Sequence, residues 1–221
     1  MVWGKPLERG FPPSIKGVGM TEVRYKYGLL YEIAEWPLER LIFAKLRPEI
    51  FKRMPNRVGP SGPTRFLEVG VGTGKNIPLY PPEAEAYGID VSPGMLRWAK
   101  RRAERLGRRV TLEMMDTEEL RYPDQFFDCV ISSLVFCSVV DPLRGLSEIR
   151  RVLKPEGLLI MMEHVRPKGP ILGPIFDRLT KTTRRLFGDH LNRHTHETVK
   201  GAGFLIQEER DLYRDVVKLI V

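Results

Sequence analysis

A glycine-rich turn with an acid shortly before it is the part of the sequence best suited to hold a small molecule. Three glycines, Gly70, Gly72 and Gly74, follow an apolar run, and Glu68 stands two residues before the first of them. An apolar strand that leads into such a turn is typical of cofactor-cradling loops in α/β sheets, because glycine lets the backbone approach a ligand closely. The glycine spacing is one residue shorter than in dinucleotide sites, and a carboxylate would repel a pyrophosphate. The turn therefore favours a cofactor that carries a cationic group.

Two further acids follow the next two predicted strands. Residues 84–90 are predicted to form a second strand that ends in Asp90, and residues 110–115 a third strand that is followed by Asp116. The carboxyl ends of parallel strands meet at one edge of a sheet, where open α/β sheets bind their ligands. A glycine-rich turn alone could be no more than a tight strand-to-helix connection. Acids at three successive strand ends argue for a ligand site instead.

These motifs resemble those of the class I S-adenosylmethionine-dependent methyltransferases. In that family the first strand leads into acid-x-Gly-x-Gly-x-Gly, the second ends in a carboxylate that accepts from both ribose hydroxyls, and the third is followed by an acid beside the adenine. The resemblance implies S-adenosylmethionine as the cofactor, with Asp90 at the ribose and Asp116 at the adenine. The cofactor-binding residues that it implies are Glu68, Gly70, Gly72, Gly74, Asp90, Val91, Met95, Asp116, Thr117 and Ser133.

The second half of the chain is similar to one branch of these enzymes. The similarity rests on several short runs, among them Glu163–Arg166, Asp177–Leu179 and His190–Arg193. The branch includes thiol S-methyltransferases and, more loosely, quinone-biosynthesis C-methyltransferases and phospholipid N-methyltransferases. The similarity implies a small or lipid-like apolar acceptor, which is a thiol, a quinone precursor or a phospholipid amine.

Glu163 and His164 are the candidate catalytic residues, because they end the fifth predicted strand, residues 158–163. A carboxylate or an imidazole at that edge can remove a proton from the acceptor, although a terminal Glu-His pair could equally cap a loop. Methyl transfer needs chiefly alignment of donor and acceptor and exclusion of water, so a base is optional.

Two flanking segments are expected to form the acceptor pocket. Residues 21–53 are predicted to be two or three short, aromatic-rich helices, and in the resembling enzymes such a segment lies across the cofactor mouth. Residues 165–195 are predicted to be a helix-bearing insertion. Removing residues 1–53 is expected to abolish turnover and to spare donor binding. The predicted pocket residues are Tyr25, Tyr31, Phe136, His190 and Arg193, with packing against the sheet or a local turn as the alternative roles.

The alternation of strand and helix signals predicts a single α/β domain over residues 1–221. Residues 1–60 are predicted to form its helical cap and linker, and residues 61–221 are predicted to form its cofactor-binding core with the 165–195 insertion. The resemblance implies a Rossmann-like, seven-stranded, mostly parallel sheet with helices on both faces and a helical N-terminal lid. The last two strands, residues 204–210 and 216–221, are expected to form an antiparallel hairpin.

The chain has a formal net charge of +8, and its basic residues concentrate between Arg97 and Arg109. Such a run is usually a solvated helix face, and the alternatives are an anionic membrane surface or a nucleic acid. A nucleic-acid partner is not expected, because Ser132–Val135 replaces the Asn/Asp-Pro-Pro-aromatic tetrad of amino-methylating DNA enzymes. An RNA methyltransferase and a non-catalytic S-adenosylmethionine-binding protein are the rival hypotheses.

Two cysteines, no signal-like leader and no membrane-length apolar run predict a cytoplasmic protein, with peripheral contact to the inner face of the membrane as an extension of that hypothesis. His194, His196 and Glu197 crowd the start of one predicted helix without a distant third ligand, so no metal site is predicted. The sequence carries no signal for the oligomeric state.

Overall fold

The computed structural model describes residues 39–55, 62–167, 169–170, 173–178, 180, 193 and 195–221. Three predicted pocket residues, Tyr25, Tyr31 and His190, lie outside this part of the chain. The predicted lid before residue 39 and much of the 165–195 insertion lie outside it as well.

The sheet that carries the predicted site has seven strands. In chain order they are β1 (Arg65–Val69), β2 (Glu85–Asp90), β3 (Val110–Met114), β4 (Phe127–Ser133), β5 (Leu153–His164), β6 (Glu209–Tyr213) and β7 (Val217–Ile220). Their spatial order is β3-β2-β1-β4-β5-β7-β6. β7 is antiparallel to both of its neighbours, and the other pairs are parallel. The predicted Rossmann-like, mostly parallel sheet is confirmed, and its switch point lies between β1 and β4.

β1 illustrates why the central strands form where they do. Its side chains alternate between the two faces, so Leu67 and Val69 join the core cluster on one face and Phe66 joins the cluster on the other. A central parallel strand is covered on both faces, which is why its sequence is almost continuously apolar. Glu68 is the polar exception, and it points to the same face as Phe66.

Helical segments cover both faces of the sheet. They are a π-helical turn (Glu39–Phe43), α1 (Ala44–Leu46), α2 (Pro48–Phe51), a 3-10 turn (Ile77–Leu79), α3 (Pro93–Arg105), α4 (Pro142–Val152) and α5 (Thr195–Gly201). α3 and α4 begin with a proline behind a capping side chain. Ser92 Oγ accepts from the backbone nitrogen of Met95 at 3.2 Å, and Asp141 Oδ1 accepts from that of Arg144 at 3.1 Å. None of the helices in the described ranges is both long and apolar enough to span a bilayer.

The predicted start of the fifth strand is wrong. β5 begins at Leu153 and not at residue 158, because the residues after α4 already run alongside β4. Leu153 pairs with Phe127 and Leu158 with Cys129. Four residues of β5 therefore lie between these two pairs but only one residue of β4, so the register shifts there. The sequence predicts a turn there because proline and glycine follow Leu153.

The predicted start of the hairpin is also wrong. β6 begins at Glu209 and not at residue 204. Phe204 and Ile206 instead pack against the core cluster, and the backbone nitrogen of Gln207 donates to the carbonyl of Val221 at 2.7 Å. Alternating apolar residues predict a strand, but here the connection from α5 uses them for packing.

The N-terminal segment, residues 39–54, packs on the face of the sheet to which Glu68 points. Its buried side chains Phe43 and Ile50 share a core cluster with Phe66 of β1 and Ile131 of β4. Burying each such apolar side chain stabilises the fold by about 1.5–3 kcal/mol. The segment is therefore held to the sheet over the switch point.

Candidate functional site

The glycine-rich turn after β1 has three glycines in the left-handed conformation. The φ angles are 63° at Gly70, 55° at Gly72 and 78° at Gly74. A Cβ at Gly70 would lie 2.4 Å from Val135, and one at Gly74 would lie 2.6 Å from Ile77. A Cβ at Gly72 would meet nothing closer than 4.0 Å. The outer two glycines therefore allow close packing, whereas Gly72 borders open space in which a ligand can approach the backbone.

Asp90 ties this turn to the end of β2. Its Oδ2 accepts from the backbone nitrogen of Gly72 at 2.9 Å, and its Oδ1 accepts from that of Ser92 at 2.8 Å. One carboxylate thus fixes both the open glycine and the start of α3. This arrangement holds Asp90 rigidly at the carboxyl edge of the sheet.

A single cavity at that edge collects most of the predicted cofactor residues. Eight of the ten predicted cofactor-binding residues line this cavity, namely Gly70, Gly72, Asp90, Val91, Met95, Asp116, Thr117 and Ser133. These groups fit S-adenosylmethionine. Gly72 leaves room beside the backbone, Asp90 supplies an acceptor for hydroxyl groups, and Asp116 supplies an acceptor for an amine.

The cavity has further walls, formed by residues that were not among the predicted site residues. They are Met115, Glu118, Leu134, Val135, Ser138, Val139 and Val140. Most of them follow β4, so the rule that ligands lie beyond the carboxyl ends of the strands could have identified them.

Glu68 lies beneath the loop and does not line the cavity. It is 2% exposed, and its Oε1 accepts from Asn76 Nδ2 at 2.7 Å. The hydroxyl of Tyr80 donates to its other oxygen. Burial raises the pKa of Glu68 to about 7, although these hydrogen bonds act in the opposite direction. Both oxygens thus have partners within the protein, and the acid anchors the loop from inside. This corrects the expectation that its carboxylate contacts a cationic group of the cofactor.

Glu163 holds the loop that follows β4. It is 1% exposed, and Ser132 Oγ donates to its Oε1 at 2.6 Å. The backbone nitrogens of Val135 and Phe136 donate to its Oε2 at 3.1 and 3.2 Å. Leu134, which directly precedes Val135, takes a left-handed φ of 60°. Burial raises the pKa of Glu163 to about 7. The carboxyl group therefore shapes the cavity wall, and its contacts describe a positioning residue.

Glu163 and His164 point to opposite faces of the sheet, because successive side chains of a strand alternate. Glu163 shares its face with Met161, which belongs to the core cluster beneath α4. The half-buried ring of His164 packs edge-on against Phe43, with ring centroids 5.6 Å apart. The two side chains consequently cannot act on one proton as a pair. The catalytic role of His164 stays a prediction.

Of the predicted pocket residues, Phe136 and Arg193 are described. Phe136 is 2% exposed and belongs to the core cluster, so its ring lies inside the fold rather than at the cavity. Arg193 Nη2 donates to the carbonyl of Val139 at 2.6 Å, which brings this cation to the cavity wall. Burial lowers the pKa of Arg193 from its ordinary value.

Among the residues that the structure describes, none form a group of three side chains suited to hold a metal ion. His196 at the start of α5 contacts Glu209 through its Nδ1. The contact joins α5 to the edge strand β6.

Comparison with known proteins identifies the family. A model of the methyltransferase domain matches residues 67–161. The phosphatidylethanolamine N-methyltransferase of Cereibacter sphaeroides is 36% identical over 139 residues, which cover 62% of this chain and 68% of that protein. The thiol S-methyltransferase TMT1B of Rattus norvegicus is 32% identical over 172 residues, which cover 71% of this chain and 66% of that protein. The chain spans about two thirds of the length of these relatives.

A solved structure adds to the comparison. The crystal structure of the [4+2]-cyclase SpnF is 28% identical, with a TM-score of 0.65 over 78% of this chain and 60% of that one. The two relatives above are named as methyltransferases, and the residues that line the cavity fit S-adenosylmethionine. The chain therefore belongs to the class I S-adenosylmethionine-dependent methyltransferases.

Proposed function

We propose that this methyltransferase acts on a small or lipid-like apolar acceptor of the thiol, quinone-precursor or phospholipid-amine class. The observation that carries the proposal is the apolar wall of the donor cavity after β4, formed by Leu134, Val135, Val139 and Val140. Val140 is 81% exposed at the rim. Exposed apolar side chains beside a binding cavity favour a greasy ligand.

Other exposed apolar side chains support the same acceptor class. Leu41 in the N-terminal segment is 68% exposed, and Leu143 at the start of α4 is 49% exposed. Leu143 follows Val140 closely along the chain, and Leu41 belongs to the segment that packs over the switch point. The phosphate backbone of RNA is held chiefly by cations, so it would gain little from these apolar surfaces. The relatives named for a phospholipid amine and a thiol also favour this class over the RNA hypothesis.

A bound S-adenosylmethionine would supply a methyl group activated by its sulfonium, and S-adenosylhomocysteine would be the leaving group when the acceptor takes that methyl. The chain's own part is to align the two molecules and to exclude water. The carboxylate of Glu163 accepts hydrogen bonds from the loop after β4, so Glu163 is a poor candidate for the base. His164, on the face covered by the N-terminal segment, is the remaining candidate for a residue that deprotonates or orients the acceptor.

The expected result of a turnover assay is methyl transfer from labelled S-adenosylmethionine to at least one acceptor among an alkyl thiol, a demethylated quinone and phosphatidylethanolamine. On that acceptor, His164→Ala should lower turnover by about 10²-fold, the usual size of a general-base contribution. The mutant should bind S-adenosylhomocysteine as the wild type does, which calorimetry measures.

His196→Ala is the matched control, because it removes an imidazole that contacts Glu209, next to β7 and away from the cavity. It should leave turnover unchanged. Methylation of transfer RNA without methylation of any of the three small acceptors would refute the proposed acceptor class. Full turnover by His164→Ala would refute the role of His164.

We further propose a cytoplasmic protein that contacts anionic membrane through α3. Arg97, Lys100, Arg101 and Arg105 are exposed on this helix. Clustered cations near an anionic bilayer contribute about 1 kcal/mol each at low salt, and salt screens this attraction. Such a surface would bring the enzyme to a lipid-dissolved acceptor.

Co-sedimentation with vesicles tests the contact. Binding to phosphatidylglycerol vesicles should fall steeply when salt rises from about 0.05 to about 0.5 M, and binding to phosphatidylcholine should be weak. Arg97→Gln combined with Arg101→Gln should reduce binding more than Lys52→Gln combined with Arg210→Gln, which removes the same charge elsewhere. Equal loss in both double mutants, or equal binding to neutral vesicles, would contradict a contact through α3.

A further inference from the structure

Arg47 belongs to the N-terminal segment, yet its guanidinium is buried at the donor site. The residue is 7% exposed. Its Nε and Nη2 donate to the two carboxylate oxygens of Glu39 at 2.7 and 2.8 Å. Burial would raise the pKa of Glu39, but the hydrogen bonds and the charge of Arg47 hold it below its usual value. This two-pronged ion pair compensates for the removal of the guanidinium from water.

The remaining guanidinium nitrogen of Arg47, Nη1, contacts residues outside the N-terminal segment. Nη1 donates to Asn76 Oδ1 at 3.0 Å and to Ser133 Oγ at 3.2 Å, across 29 and 86 positions of sequence. Asn76 in turn donates to Glu68 at 2.7 Å, and Ser133 lines the donor cavity. One guanidinium therefore joins the segment to the loop after β1 and to the end of β4. These are the two sides of the switch point.

We propose that Arg47 is a positioning residue of the donor site, which makes residues 39–54 part of the donor-binding unit. Apolar packing through Phe43 and Ile50 holds the segment to the sheet but does not fix the direction of polar groups. The hydrogen bonds from Nη1 are directional, so they set the orientation of Asn76 and Ser133. Both side chains would have to find other partners without Arg47.

If Arg47 positions the donor site, the expected effect of losing the N-terminal segment changes. A truncation that removes residues 1–53 takes away Arg47 with the rest of the segment. Donor binding should then weaken along with turnover, whereas the sequence alone predicts that it survives. The proposal concerns donor binding only, so its outcome does not depend on which acceptor the enzyme uses.

The chain offers a matched control in the same segment. Arg53 Nη2 pairs with Glu208 at 2.8 Å, which joins the segment to the residues before β6. Neither residue lines the donor cavity. Arg53→Met therefore removes a cation of the segment and its ion pairs with Glu49 and Glu208, and it leaves Asn76 and Ser133 untouched.

The test is calorimetric titration of the full chain with S-adenosylhomocysteine. Arg47→Met should weaken binding by at least about 10-fold, as expected for hydrogen bonds to a charged group. Arg47→Lys should be similar, because an ammonium cannot span Glu39, Asn76 and Ser133 together. Arg53→Met should change the affinity by less than about 2-fold. Thermal unfolding confirms which variants are folded, and Arg47→Lys serves if Arg47→Met does not fold.

A double-mutant cycle separates positioning from general stability. If Arg47 acts through Ser133, then Ser133→Ala should weaken binding in the wild type but have little further effect in Arg47→Lys. Additive losses would show that the two residues act independently. A folded Arg47 variant with unchanged affinity, or an equal loss in Arg53→Met, would overturn the proposal.

Discussion

Replacing Gly70 by alanine is expected to reduce both the stability of the protein and its affinity for the donor. The new Cβ would lie 2.4 Å from Val135 Cγ2 and 2.8 Å from its Cγ1, so the whole valine side chain would have to move. The left-handed φ of 63° adds strain of about 1–2 kcal/mol. Overpacking adds about 1–3 kcal/mol. Gly70 and Val135 both line the donor cavity, so their displacement should weaken S-adenosylhomocysteine binding by about 10²-fold.

Gly107 provides the control for backbone strain alone. Its φ is 62°, and a Cβ there would meet nothing within 4 Å. Gly107→Ala should therefore lower the free energy of unfolding by about 1–2 kcal/mol without changing donor affinity. Urea denaturation and calorimetry measure the two quantities. Equal effects of both substitutions on affinity would mean that the contact between Gly70 and Val135 does not shape the site.

Glu163→Gln is expected to gain stability relative to the wild type as the pH rises. Burial raises the pKa of Glu163 from its ordinary 4.5 to about 7 in the folded protein. Below pH 4.5 the group is protonated in both the folded and the unfolded states. Between these two values the unfolded chain loses the proton first, so the wild type loses stability as the pH rises. At about 1.4 kcal/mol per pH unit, the loss is about 3 kcal/mol and is complete above pH 7.

Glutamine does not titrate, so the difference in unfolding free energy between the mutant and the wild type isolates this group. Urea denaturation at several pH values between about 4 and about 8 measures it. Glu148 is a control of opposite sign, because its hydrogen bonds with Arg151 lower its pKa. The stabilisation by the Glu148 carboxylate is present above its unfolded pKa and is lost as the pH falls. The unfolding free energy of Glu148→Gln should therefore fall relative to the wild type as the pH rises. A difference for Glu163→Gln that is independent of pH would refute the assignment.

The sequence by itself predicted which residues meet at the carboxyl edge of the sheet. The spacing of Gly70, Gly72 and Gly74 and the acids that follow successive strands are local patterns, and β-strand patterning tells which residue stands at a strand end. All parallel strands present their carboxyl ends at one edge, so residues identified separately along the chain had to meet there. Eight of the ten residues that the family resemblance implied for the cofactor line one cavity at that edge.

Only the tertiary structure decided what each acid does there. Glu68 anchors its own loop through Asn76, where a contact with the cofactor had been expected. Glu163 anchors the loop after β4, which is one of the two roles that the sequence left open for it. Arg47 carried no signal of its own in the sequence, because its contact with Ser133 spans 86 positions. A strand end fixes the position of a residue, but its partners depend on which face it points to and which distant segment covers that face. Those choices are made by the strand order and by the packing of residues 39–54, which no local pattern encodes.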